Sequence, residues 1–270
     1  MRQLSISILA AALIAGTVMG QDWAKARLEK SPRHLEWVKV KHGDRVVNCF
    51  IAYPQVKDPA TAVLVIHESL GLTDWVRGVT DQLAEAGYLA IAPDLLSGAA
   101  PGAGGTSELG GPDSVRKAID SLPSDQITAD LKAASDYVAK LPTCNGKVAV
   151  AGFGWGGSQS FRYATNDKEL KAAFVFYGTA PTKLDELARI RCPVYGFYGS
   201  KDAPLTATID KTAALMAQAS QMFHPLVYGG PGGGAGHGFM RTGEAPDASE
   251  ADKKLHDFAW ARWKAELKKL

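Results

Sequence analysis

The stretch KVAVAGFGWGGSQS, Lys147–Ser160, decides the fold. Lys147–Gly152 is a short apolar run with no polar alternation. Runs of this kind are parallel strands covered on both faces, because no side of the pleat is left for polar groups. A sharp glycine-rich turn follows at Gly152-Phe153-Gly154-Trp155-Gly156, and a helix is predicted beyond it. Strand, tight turn and helix in that order is the repeating unit of an α/β sheet.

The same signature recurs at Ala62–His67, Leu89–Pro93, Ala172–Gly178 and Pro193–Gly199, with Met222–Tyr228 as the last strand. Upstream, Glu36–His42 and Arg45–Tyr53 alternate around Gly43-Asp44, which reads as an antiparallel hairpin. Helical periodicity fills the gaps. Asp74–Ala86 places Val76, Val79, Leu83 and Ala86 on one face. Asp125–Leu141 carries Ile127, Leu131, Ala134, Val138 and Leu141, with Ser124 or Asp125 as its cap. Leu205–Gln218 and Ser249–Leu267 complete the set, the last with Leu255, Phe258, Ala259 and Trp263 inward. The pattern predicts one doubly wound, mostly parallel α/β domain over residues 21–270, with an N-terminal antiparallel hairpin.

Residues 1–20 are set apart from this pattern. Arg2 is followed by an apolar run from Leu4 to Val18 and then Val18-Met19-Gly20. A charged start, a short apolar core and a small-residue exit describe a secretory signal peptide. The alternative is an uncleaved anchor helix, for which the run is short. The expected mature chain begins near Gln21, in the periplasm or outside the cell. With 30 basic and 28 acidic residues, charge gives no reason to expect nucleic acid or a membrane surface as a partner. Cys49, Cys144 and Cys192 leave at least one free thiol and show no metal-ligand spacing. Cys144 and Cys192 each precede a strand, and a disulfide between them would have to reach past another strand.

Three pieces fall at strand ends in a meaningful order: the turn at Gly154, then Gly199-Ser200-Lys201-Asp202, then Gly236-His237-Gly238-Phe239. Nucleophile turn, acid and base in that order is the arrangement of α/β-hydrolases. In such a triad the acid holds the imidazole tautomer and the imidazole moves the proton. Alone, Asp202 would read as a helix cap and His237 as a bland histidine. The Gly/Pro-rich segment Ser97–Asp113 follows a strand end and reads either as a lid or as an unconstrained loop. Gly229–Gly234, just before His237, is open to the same two readings.

These stretches, with VLVIHESLGLTDWVRGVTDQLAEAGYLAIAPDLLSG, AAFVFYG, YGFYGSKD and GAGHGFMR, resemble the dienelactone hydrolase family from about Ala62 to Arg241. The resemblance implies an α/β-hydrolase fold, cleavage of small esters or lactones, and no metal or organic cofactor. Such relatives are often monomeric. It also implies roles. His237 matches the base, Asp202 the acid, and Glu68 a glutamate that contacts the resting nucleophile. The backbone N–H groups of Ser69 and Trp155 match the oxyanion hole. Arg241 matches an arginine that holds a substrate carboxylate. Arg77 is a second candidate for that duty, or the partner of a local ion pair. A further family arginine would fall near Gly98 and is missing here.

The largest departure is Gly154, which stands where the family has Cys, or Ser in some relatives. Glycine tolerates the strained backbone of such a turn but supplies no attacking atom. Ser158, one turn into the helix, is about 6 Å further along the axis and is expected to point into packing or along the helix, not at His237. Two functions follow: a secreted ester or lactone hydrolase of low turnover, or a binding protein that keeps the pocket without the chemistry.

Overall fold

The computed structural model describes residues 21–230 and 233–270. The expected signal segment therefore lies outside the described residues, as do Pro231 and Gly232 of the glycine-rich run. The elements are α1 (Asp22–Glu29), β1 (Leu35–His42), β2 (Arg45–Ala52), β3 (Ala60–Ile66), α2 (Asp74–Glu85), β4 (Leu89–Pro93) and α3 (Pro112–Asp120). They continue with α4 (Ser124–Ala139), β5 (Cys144–Phe153), α5 (Trp155–Ala164), β6 (Ala173–Phe176), α6 (Leu184–Leu187) and β7 (Val194–Gly199). The last are α7 (Ala203–Thr206), α8 (Ile209–Gln218), β8 (Phe223–Gly230), β9 (Gly233–Gly234), α9 (Phe239–Glu244) and α10 (Glu250–Leu267).

One sheet runs in the order β1-β2-β4-β3-β5-β6-β7-β8-β9. β1 and β2 form the antiparallel hairpin, and β2 joins the body through an antiparallel edge to β4. From β4 to β8 every pairing is parallel. The fold is thus an α/β fold with a mostly parallel central sheet and an N-terminal antiparallel hairpin, as the sequence predicts.

The apolar runs divide residue by residue between two layers. Ala62, Leu64 and Ile66 of β3 join Val148 and Val150 of β5 in one cluster with α4 and α5. Val63 and Val65, with Ala149, Ala151 and Phe153, face the other way onto α2 and α10. This period of two explains why neither set of positions could be polar. Burying each such Val or Phe side chain contributes about 2 kcal/mol.

Several boundaries differ from expectation. Ser124 is the first residue of α4, and the N-cap is Pro123, with no side-chain cap bond. Ala86 is exposed beyond the end of α2. Leu205–Gln218 is two helices, α7 and α8, because the chain bends between Thr206 and Ile209. In α10, His256, Ala259, Trp260 and Trp263 are buried, whereas Phe258 is 58% exposed against Tyr228. The inward face is thus turned toward Trp260, whose indole N–H reaches Gln82. Cys49, Cys144 and Cys192 are all free thiols; Cys144 opens β5, Cys192 precedes β7, and β6 lies between those two strands.

Candidate active site

The site is built where β5 ends. Gly154 sits at φ +56° and ψ −115°, as the N-cap of α5. Its N–H donates to the Phe176 carbonyl at 2.9 Å, pinning the turn to β6. α5 starts so close to the sheet that a Cβ on Gly156 would lie 2.3 Å from the His67 carbonyl oxygen. That close approach requires glycine. A Cβ on Gly154 meets no such obstacle, since its nearest neighbour is His237 Nε2 at 3.4 Å, followed by the Tyr177 ring at 3.9 Å.

His237 and Asp202 arrive from the ends of β9 and β7. Asp202 holds the N-cap position of α7, yet its side chain makes no cap bond. The carboxylate is turned instead to His237, with Oδ2 2.6 Å from Nδ1. The imidazole Nδ1–H donates to that carboxylate, which leaves Nε2 as the ring nitrogen facing Gly154. The imidazole is 59% exposed, so solvent and small molecules reach it. Its ring also stands edge-on to Tyr177, centroids 5.1 Å apart.

Glu68 follows β3 in a tight turn closed by the Gly71 N–H on the Glu68 carbonyl. Its carboxylate accepts Arg241 Nε at 3.0 Å. Burial pushes the carboxyl above the ordinary glutamate range, and the nearby Arg241 charge only partly reverses this. Ser69 is exposed at the tip of the same turn. Trp155 is the first residue of α5, so its N–H has no acceptor within the helix. Its indole stacks on the fully buried His67, centroids 5.5 Å apart. Burial lowers the pKa of that imidazole.

Two further candidates are engaged with other partners. Ser158 Oγ pairs with Thr179, which it meets at 3.0 Å through Oγ1 and 2.9 Å through the backbone N–H. The same oxygen lies 3.5 Å from the Gly154 carbonyl oxygen. Arg77 is paired with Asp74 and lies over the rings of Trp37 and Phe50. It lines a cavity of about 470 Å³ with Trp37, Leu72, Asp94 and Gly105, and neither Gly154 nor His237 belongs to that lining. Gly98, where a further arginine is missing, lies near Arg45, whose Nη1 would be 3.8 Å from a Cβ there. Arg45 itself is committed to the buried Asp130.

Two residues of the site are legible only in three dimensions. Tyr177 is buried at φ +42°, with a hydroxyl that has no partner among the described residues. Burial and the Glu68 charge drive its phenol far above the ordinary range. A polar-tipped aromatic at a strand end before glycine is the only signal it left in the sequence. Asp94, at the end of β4, receives the Thr106 N–H and hydroxyl at 2.7 Å each. Thr106 Oγ1 in turn accepts the Leu72 N–H. The Ser97–Asp113 segment is thereby pinned against the loop that carries Glu68. It contains two short 3₁₀ turns and the start of α3.

The family profile for dienelactone hydrolases matches residues 47–270. The chain belongs to the dienelactone hydrolase family. A protein of Methylorubrum extorquens named "Putative carboxymethylenebutenolidase" is 27% identical over 235 residues, 82% of this chain and 79% of its own length. A protein of the same name from Synechocystis sp. is 30% identical over 214 residues, 75% of this chain and 85% of its own. The crystal structure titled "Putative Dienelactone Hydrolase" from Klebsiella pneumoniae subsp. pneumoniae shares the fold at a TM-score of 0.74 and 24% identity. It covers 88% of this chain and 99% of that one. Among the described residues, no group of three or more His, Cys, Asp or Glu side chains could hold a metal ion, and no helix is long and apolar enough to cross a membrane.

Proposed function

We propose that this dienelactone hydrolase family member cleaves small esters or lactones slowly, using water in place of a side-chain nucleophile. One observation carries the reading: His237 Nε2 is 3.4 Å from the place a Gly154 Cβ would occupy, while Nδ1 rests on Asp202 at 2.6 Å. A water beside Gly154 is within hydrogen-bond reach of a base whose tautomer is already held. His237 Nε2 takes the proton as the water oxygen attacks the carbonyl carbon. The backbone N–H groups of Ser69 and Trp155 receive the charge on the carbonyl oxygen. The imidazolium then returns its proton to the leaving alkoxide. Arg241, oriented by Glu68, offers its remaining donors to a carboxylate on the substrate.

An oxyanion hole and binding alone retain about 10³–10⁴-fold acceleration over water when a triad is lost in a serine protease. Turnover should lie in that range and favour activated esters and strained lactones. The work is done outside the cytoplasm, on the strength of Arg2 and the Leu4–Val18 run. Cell fractionation of the full chain tests this; retention of an intact Met1 in the cytoplasm refutes it.

The test of chemistry compares turnover of a small activated ester by wild type, Gly154→Cys, Gly154→Ser, and Gly154→Cys with His237→Ala. Gly154→Cys should gain several powers of ten, exceed the Ser variant and lose the gain with His237. A folded Gly154→Cys protein that gains nothing would replace this reading with that of a binding protein. Wild-type turnover equal to that of the cysteine variant would refute the water mechanism.

A further inference from the structure

Gln21 is the residue that export would leave at the amino terminus, and its side chain is already engaged. Oε1 accepts the backbone N–H of Trp75 at 3.2 Å. Trp75 is the second residue of α2, a helix of 12 residues whose N-cap, Thr73, makes no side-chain cap bond. The Thr73 hydroxyl is itself buried, with no partner among the described residues. One N–H of the first turn of α2, that of Trp75, is therefore satisfied by an amide oxygen brought in from position 21 rather than by the cap residue's own side chain.

We propose that the mature chain carries pyroglutamate at position 21, formed by lactam closure on the amino end of α2. The step needs no co-reactant. The free α-amine of Gln21 attacks its own Cδ, and the new N–C bond closes a five-membered ring. The Cδ–Nε2 bond then breaks, and Nε2 leaves as ammonia with the proton the amine gives up. Negative charge develops on Oε1, the same atom that Trp75 N–H donates to, at the positive end of the aligned peptide dipoles of α2. Asp74, in the first turn of α2, is engaged by Arg77. Closure also removes the terminal charge. Attacking group and carbonyl are in one residue, so ring closure needs no encounter.

This inference rests on the export reading and is independent of ester hydrolysis. The full chain with its leader is produced in an exporting bacterium, and the intact mass and N-terminal peptide of the soluble product are measured. A chain that begins at residue 21 and is lighter than the glutamine form by one ammonia is expected. A chain beginning elsewhere, or one with unmodified Gln21, would overturn the proposal. In a second arm the chain is freed at Gln21 from a cleavable fusion and followed by mass over time, folded and in urea. Closure should be at least about tenfold faster in the folded protein. Equal rates would overturn the part assigned to α2.

Discussion

Glu68 keeps a carboxylate where little water reaches, and Arg241 compensates only in part. The proton is therefore held more tightly in the folded chain than in the unfolded one. Between the ordinary glutamate range and the higher folded value, the folded state retains a proton that the unfolded state has released. Stability from this group is complete below that window and is lost as pH rises through it. Glu68→Gln cannot titrate. Its stability relative to wild type, read from urea midpoints at several pH values, should improve as pH rises from the carboxylate range toward neutrality. The opposite trend would mean that Arg241 keeps the carboxylate ionised. Tyr177 offers a simpler test at the same scale. Its buried hydroxyl has no partner among the described residues, so Tyr177→Phe should leave urea stability unchanged or raise it by about 1 kcal/mol. A loss of stability would show that the hydroxyl is in fact bonded.

At the scale of elements, α9 carries Arg241, follows His237 directly, and is tied down at its far end by Glu244. That side chain is 9% exposed and accepts Arg27 Nη1 at 2.7 Å, Trp75 Nε1 at 2.8 Å and Gln82 Nε2 at 2.6 Å. One carboxylate thus joins α1, α2 and α9. Glu244→Ala would leave a buried indole N–H and an amide without their acceptor, and chemical denaturation should show a loss of about 3 kcal/mol. Arg27→Ala should show much less, because Arg27 is 40% exposed. None of this was legible in the sequence, where Glu244 is one acid in a polar stretch. The strands were legible, because the central stretches of β3 to β7, such as Val148–Phe153 of β5, are covered on both faces and are apolar almost throughout. The order Gly154, Asp202, His237 was legible because each follows a strand directly. Helix faces were harder to read: Phe258 fits the period of α10, but Trp260 and Trp263, stacked 4.6 Å apart, set the buried side. α1, α6 and α9 are too short to show a period.

For the whole molecule, the three cysteines are spread over the sheet. Cys49 and Cys192 are buried and Cys144 is partly exposed, on elements that do not bring any two sulfurs into a bond. Thiol titration should find one reactive group in the native protein and three in denaturant, and a lower denatured count would reveal a disulfide. The glycine at the end of β5 has a further consequence for how the molecule can be detected. A hydrolase with a side-chain nucleophile passes through an acyl-enzyme, so it shows a burst of product and is marked by fluorophosphonates or haloketones aimed at that atom. Here no bond to position 154 can form. Any ester cleaved through His237 and water would turn over by single displacement, without a burst. Labelled oxygen from water would enter the acid product directly. The protein would pass unmarked through a screen that counts hydrolases by the covalent tag they keep.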